Sequence, residues 1–176
     1  MTDIAVQNVR VRTEKSSLPQ PSNSRENRSF PAQKFMFMSI SQLPVSVLLL
    51  YCIVVAFLLI YLPFLAVAYA RVSVGYDLYS PRTMLDKLPP YAQRATWAHQ
   101  NSFETFMIFA AAALMAYVTG VDSPLAVWAA LTFITVRLFY SVFYILNIPL
   151  LRSLMYAIGL GCYSTLFVLS IIQASS

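Results

Sequence analysis

Charged residues are scarce in this 176-residue chain, and their scarcity indicates its class. Only 11% of the residues are charged, whereas 59% are hydrophobic, and soluble domains carry about 25% charged residues. No charged residue stands between Lys34 and Arg71, and an apolar run of about 20 residues is enough to cross a hydrocarbon core. The composition therefore excludes an ordinary soluble domain and predicts an integral membrane protein.

Residues that bind metals or nucleic acids are equally few. His99 is the single histidine, and Cys52 and Cys162 stand in apolar segments without metal-type or CxxC spacing. We therefore predict no metal site. The net charge of +5 comes from basic residues dispersed over a tail and short loops, without an aromatic-interleaved basic patch. Membrane lipids are the predicted surroundings, and nucleic acid is not a predicted partner.

The amino-terminal segment differs from the rest of the chain. Residues 1–38 are rich in Ser, Asn, Gln, Pro and Arg and have no periodic apolar pattern. Such a segment cannot bury enough surface to offset the entropy lost on ordering. We predict a disordered polar and basic tail at residues 1–38 and one membrane domain at residues 39–176.

Apolar runs and boundary residues divide the membrane domain into four spanning helices. Pro63 should kink the first of them and leave a carbonyl for neighbouring groups to satisfy. Gly120, followed by a capping residue and a proline, indicates a tight turn, so the second and third helices should be antiparallel neighbours. The sequence predicts an all-α four-helix membrane bundle with helices at about residues 43–70, 92–119, 124–146 and 151–172.

Basic residues near the membrane favour one orientation of the bundle. Four spans place both termini on one side, and the loop at residues 71–92 is on the other side. That loop and the helix ends beside it carry more basic residues near the membrane than the opposite side does. The positive-inside rule therefore predicts a cytoplasmic 71–92 loop, with both termini on the opposite side.

Polar side chains are concentrated at the start of the second helix, in the segment QRATWAHQNSFE, residues 93–104. Arg94 and Asn101 share one helix face, with Glu104 about 80° round from Arg94, whereas His99 points away from them. We expect His99 to be a structural hydrogen-bonding residue. The face that carries Asn101 and Glu104 is the predicted wall of a small-molecule site.

Arg137 lies near the middle of the third span. An unpaired arginine there costs at least about 2.5–3.5 kcal/mol on insertion scales. It must therefore be paired, and Asn101 or Glu104 is the expected partner. The structural alternative to a ligand site is a buried Arg137–Glu104 ion pair that only fixes the register of the two helices.

Arginines and tyrosines share faces on the third and fourth helices. Positions 137, 140 and 144 follow i, i+3, i+7, and positions 152 and 156 follow i, i+4. Guanidinium groups hold carboxylates in bidentate geometry, and a first-turn arginine or hydroxyl can favour a thiolate. We predict that a small anionic ligand binds to Asn101, Glu104, Arg137, Tyr140, Tyr144, Arg152, Ser153 and Tyr156.

At these residues the sequence resembles the MAPEG family, the membrane-associated proteins in eicosanoid and glutathione metabolism. The resemblance covers about residues 45–172. Its loop part, Gly75-Tyr76-Asp77 with Pro81-Arg82, is similar to the bacterial branch of the family. The helix motifs that carry it are Arg94-x3-Ala98-His99-x-Asn101-x2-Glu104, Arg137-x2-Tyr140-x3-Tyr144 and Leu151-Arg152-Ser153.

The resemblance implies a homotrimer of four-helix protomers that binds glutathione between neighbouring subunits. It also implies that Arg152 or Ser153 stabilises the glutathione thiolate, which attacks a lipophilic electrophile or hydroperoxide arriving from the bilayer. The implied glutathione contacts are Asn101, Glu104, Tyr144, Arg152, Ser153 and Tyr156, with Arg71 contributing from the end of the first helix.

Two positions depart from the family pattern. Gln100 stands where several catalytic members carry a basic residue, and Tyr140 stands where the prostaglandin-synthase-like members carry a histidine. The family also includes a non-catalytic, lipid-binding member. Two functions therefore remain open, a glutathione-dependent transferase or peroxidase and a non-catalytic lipid-binding or scaffolding protein. Without internal repeats or paired broken helices, a transporter is disfavoured.

Overall fold

The computed structural model of the chain describes residues 43–75, 79–80 and 83–176. The predicted tail at residues 1–38 and most of the loop motif lie outside this part. The described residues form α1 (Val45–Val74), α2 (Pro90–Val118), α3 (Pro124–Ile145) and α4 (Pro149–Ala174), with a short 3₁₀ turn at Leu85–Lys87 and no strand. All four α-helices are long and apolar enough to span a bilayer. The predicted four-helix membrane fold is confirmed.

Five helix boundaries differ from the prediction by two to four residues, and three of these bear on the site. α1 continues to Val74, which places Arg71 in its last turn, where a cation interacts favourably with the helix dipole. α2 and α4 each begin two residues earlier than predicted, with Pro90 and Pro149 at their first positions. A proline is tolerated there because the first turn of a helix has no partner for its N–H group.

The two short turns have well-defined caps. Gly120 has a left-handed φ of 71°, and the Ser123 Oγ accepts a hydrogen bond from the Leu125 N–H at 3.2 Å. Asn147, after α3, is also left-handed, with φ 60°, and the Ile148 N–H donates to the Phe143 carbonyl at 2.9 Å. This is the closure that ends a helix with a residue in the left-handed region, and it returns the chain at once into α4.

α2 and α3 form the centre of the bundle. α1 packs mainly on α2, and α4 packs mainly on α3, whereas α1 and α4 make little contact with each other. Phe109 of α2 and Phe133 of α3 are both buried and stack with ring centroids 4.0 Å apart. Ala112 and Ala113, in the run of four alanines at residues 110–113, are fully buried, and small residues let helix backbones approach closely. This packing brings the polar faces of α2 and α3 together.

Candidate functional site

The site is built around Arg137, which is only 5% exposed in the middle of the bundle. Its Nη2 donates hydrogen bonds to the Asn101 Oδ1 at 3.2 Å and the Ser102 Oγ at 3.1 Å. Its Cζ lies 4.2 Å from the centroid of the Tyr140 ring. The guanidinium is thus stabilised by two neutral oxygens and a π face.

Of the two predicted partners of Arg137, the structure confirms Asn101 and not Glu104. Glu104 is exposed, so the predicted alternative of a buried Arg137–Glu104 ion pair is wrong. Ser102, the other partner, was missed by the sequence reasoning. It continues the stripe of small buried residues Ala95, Ala98 and Thr105, and that i, i+3, i+7, i+10 spacing is the signal that could have found it.

Glu104 is the midpoint of α2, with 14 helical residues on either side. A carboxylate facing lipid at that depth is as costly as other charged groups, about 2.5–3.5 kcal/mol on insertion scales. The α2 face that carries Glu104 and Gln100 is exposed in the single chain. We therefore expect this face to be covered by protein or by a polar ligand in the membrane.

Arginine and tyrosine side chains continue from Arg137 along α3 and α4. The Tyr140 ring lies 5.6 Å from the Tyr144 ring and 6.5 Å from the Tyr156 ring. The Cζ of Arg152 lies 4.6 Å from the centroid of the Tyr144 ring. These five residues, Arg137, Tyr140, Tyr144, Arg152 and Tyr156, are called the α3–α4 ladder below.

The two ends of the α3–α4 ladder differ in accessibility. Arg137 is buried, whereas Arg152 is half-buried and Tyr156 is 42% exposed. In the described part of the chain, the side chain of Arg152 makes no hydrogen bond and no ion pair. Its guanidinium donors therefore remain available at the open end of the ladder, next to the exposed Ser153, and this end can bind an anion.

Arg71 provides a second hydrogen-bond donor that remains available, in addition to Arg152. Its Nε is buried and has no hydrogen-bond partner in the described part of the chain. The neighbouring Ala70 belongs to a cluster with Ala92 and Ala95 against which Ile145 packs. The last turn of α1, the start of α2 and the end of α3 therefore meet at the end of the bundle where α4 begins and Arg152 lies in its first turn.

Arg94 has a structural role at this end of the bundle. Its Nε donates a hydrogen bond to the carbonyl of Ile145, the last residue of α3, at 3.0 Å. The last carbonyls of a helix have no intrahelical partner. Arg94 therefore completes the end of α3 and ties α2 to the turn that precedes Arg152.

His99 makes a contact on the opposite side of α2, as the helix geometry predicts. Its Nδ1 lies 2.8 Å from the carbonyl oxygen of Ile60 in α1, and because a carbonyl only accepts, the Nδ1 carries the proton. Its ring also lies 5.4 Å from the ring of Phe64. Ile60 precedes Pro63 by three residues, so His99 binds a carbonyl at the proline site. The structural role predicted for His99 is confirmed.

Replacing His99 with phenylalanine should lower the free energy of unfolding by about 1–2 kcal/mol, because the hydrogen bond between His99 and the Ile60 carbonyl is lost while the ring contacts remain. Unfolding in detergent micelles, followed by circular dichroism, measures the change. His99→Asn is the matched control, since its amide nitrogen can occupy the place of Nδ1, and it should recover part of the loss. A His99→Phe variant as stable as the wild type would contradict the role.

Comparison with known proteins identifies the family. The family model described as MAPEG family matches residues 48–172, a range that includes most of all four helices and every predicted site residue. No curated protein and no solved structure matches the chain significantly. The match extends over more than half of the chain, and the four membrane-spanning helices agree with it. This multi-pass integral membrane protein belongs to the MAPEG family.

Proposed function

We propose that the protein is a glutathione-dependent membrane transferase or peroxidase that acts on lipophilic electrophiles or hydroperoxides. The observation that carries the proposal is the environment of Arg152. Its guanidinium is partly exposed, lies against Tyr144 and makes no side-chain hydrogen bond among the described residues. A cation with unused donors beside tyrosines suits an anionic thiol compound.

The chain's own residues would act on the ligand as follows. Arg152 and the hydroxyl of Ser153 would hold the sulfur as a thiolate, because a nearby cation and donor stabilise the charged form. Tyr144 would orient the Arg152 side chain through the ring contact at 4.6 Å, and Tyr156, whose side chain is 42% exposed, would offer its hydroxyl. When bound, glutathione would supply the nucleophilic sulfur, which would displace a leaving group such as chloride from an electrophilic carbon or, with a second glutathione, would reduce a hydroperoxide to its alcohol and water while the two thiols become a disulfide.

Arg71 and Asn101 would contribute further contacts. The Nε of Arg71 is a buried donor without a partner among the described residues, and a ligand carboxylate would satisfy it. The Oδ1 of Asn101 is already used by Arg137, so the contribution of Asn101 to the ligand would be its amide N–H groups. Arg137 and Tyr140, at the buried end of the ladder, would hold Asn101 and Tyr144 in position rather than contact the ligand.

A homotrimer completes the proposal. Glu104 is exposed at the midpoint of α2, and its burial by a second copy of the chain would remove a carboxylate from lipid contact. The ligand would then lie between neighbouring subunits, with Glu104 able to accept a hydrogen bond from its amino group. The site would open on the side of the 71–92 loop, which we place in the cytoplasm, where glutathione is the reducing thiol.

The test is a titration of glutathione into the purified protein in detergent, followed by turnover assays with a chlorinated aromatic electrophile and a lipid hydroperoxide. We expect saturable binding, a higher unfolding temperature with glutathione because it binds only the folded state, and turnover of at least one substrate. Ophthalmic-acid-type analogues, which lack the thiol, should bind without turnover. Absence of both glutathione binding and turnover would refute the proposal.

A non-catalytic lipid-binding or scaffolding role is the second candidate, and Gln100 favours it. Gln100 is exposed on the same α2 face as Glu104, and its neutral amide supplies no charge for a glutathione carboxylate. This candidate predicts that glutathione leaves the unfolding temperature unchanged. It also predicts that lipid binding changes the unfolding temperature. Measurable glutathione conjugation would exclude it.

A further inference from the structure

A small recess lies beside Arg137 between α1, α2 and α3. Its apolar wall includes Ala56, Phe106 and Phe133, and its polar side includes Ser102 and Arg137. The space in it that the centre of a water molecule can occupy is about 10 Å³, which is about the minimum that one water molecule needs. Volume alone does not indicate water, because apolar cavities stay dry, so the polar groups around the recess decide its content.

Two of these groups have donors that remain available. Arg137 carries five N–H donors, and its described hydrogen bonds, to Asn101 and Ser102, both come from Nη2. Ser102 uses its oxygen to accept from Arg137, and its own hydroxyl proton has no acceptor among the described hydrogen bonds. Both residues line the recess, so a bound molecule there would have to accept hydrogen bonds.

A third group supplies an acceptor from α1. Pro63 has no N–H, so the carbonyl of Leu59, four residues earlier, lacks its α-helical donor. Pro63 is fully buried in the bundle, and Leu59 lies one turn before it on the same side of the helix. Leu59 lines the recess, whereas the next carbonyl, that of Ile60, is bound by His99. An unsatisfied carbonyl in hydrocarbon costs several kcal/mol.

We propose that this recess binds one ordered water molecule that joins the three helices. The water oxygen accepts hydrogen bonds from Arg137 and Ser102, and one of its protons is donated to the Leu59 carbonyl. Three polar partners are typical of a buried water. A small anion does not fit the same groups, because it could not donate to Leu59 and would face the negative end of that carbonyl dipole.

The water has a structural consequence for α1. His99 satisfies one carbonyl at the proline site, and the water satisfies the neighbouring one. The part of α1 around Pro63 is then held by α2 through His99 and by α3 through Arg137 and the water. Pro63 can therefore be accommodated in a membrane helix without a buried unsatisfied carbonyl.

The test is X-ray radiolytic footprinting of the full chain in detergent, read by mass spectrometry, because radicals formed from a buried water oxidise the side chains that touch it. Phe133 is 1% exposed and lines the recess, whereas Phe109 is 0% exposed, stacks on Phe133 and does not line the recess. We expect several-fold faster labelling of Phe133 than of Phe109. Equal labelling of the two rings would overturn the proposal.

Two variants test the partners of the water. Ala56→Val fills the recess from α1 without changing a polar group and should reduce Phe133 labelling to the level of Phe109. Pro63→Ala restores a donor to the Leu59 carbonyl and should reduce the labelling partly, because one of three partners is lost. Labelling that stays unchanged in Ala56→Val would overturn the site, and labelling that stays unchanged in Pro63→Ala would overturn the bridge to Leu59.

Discussion

Arg152→Ala is expected to weaken glutathione binding by about 10- to 100-fold, because a hydrogen bond to a charged group contributes about 1.5–3 kcal/mol. The stability of the protein should change by less than about 1 kcal/mol, since the side chain is half-buried and its described contact is one cation–π interaction with Tyr144. Calorimetric titration of glutathione and thermal unfolding without ligand, both in detergent, measure the two effects separately.

Two controls separate contact from general electrostatics. Lys87→Ala removes the same charge from an exposed position on the same side of the bundle and should leave binding nearly unchanged. Arg152→Lys keeps the charge but loses the planar fork, so its affinity should be intermediate. If Lys87→Ala weakened binding as much as Arg152→Ala did, the effect would be long-range attraction and the assigned contact would be wrong.

The reactive sulfur offers a further readout of the same residue. If Arg152 stabilises the thiolate, loss of its positive charge should raise the pKa of the bound glutathione thiol. The ultraviolet absorbance of the thiolate should therefore appear at a higher pH in Arg152→Ala than in the wild type. A variant with weaker binding and an unchanged thiolate titration would place Arg152 on a carboxylate of glutathione. Under the non-catalytic alternative, Arg152→Ala would change neither property.

The helices and turns were predictable because they depend on local rules. Gly120 and Ser123 act through the backbone conformation and capping preference of single residues, and the predicted turn agrees with the structure. The starts of α2 and α4 were misplaced by two residues for a local reason too. Pro90 and Pro149 can either break a helix or begin one, and the sequence does not show which applies.

The contacts of the site were harder to predict because they depend on how each helix is rotated. Ser102 and Glu104 are two residues apart and project from α2 about 200° apart, so only one of them can face Arg137. Charge favoured Glu104, whereas the stripe of small buried residues favoured Ser102, and packing decided the outcome. The stacking of Arg152 on Tyr144 depends on the left-handed Asn147 between them, which the sequence did not reveal.

Arg137→Ala is expected to lower the free energy of unfolding by about 2–4 kcal/mol. The variant leaves the Asn101 amide oxygen and the Ser102 hydroxyl without their donor, at a cost of about 1–3 kcal/mol for each unpaired buried group, and it opens a cavity beside Tyr140. Removal of a charge from the membrane interior offsets part of this loss. Equilibrium unfolding in micelles measures the difference.

Two substitutions at the same position divide the loss into its causes. Arg137→Met keeps much of the volume without a donor, and Arg137→Lys keeps a charge and a donor without the planar contact to Tyr140. We expect both to be intermediate in stability between the wild type and Arg137→Ala. In the Arg137→Met background, Asn101→Ala should cost less than it does in the wild type, because the partner of the amide is already gone.

The two arginines of the ladder should therefore have opposite phenotypes. Arg137 variants that remain folded, such as Arg137→Lys, should bind glutathione with nearly wild-type affinity, because the side chain is 5% exposed and its described hydrogen bonds are internal. A stable Arg137→Lys variant with a large loss of affinity would make Arg137 a ligand contact, as the sequence predicted, and would require the buried end of the ladder to open when glutathione binds.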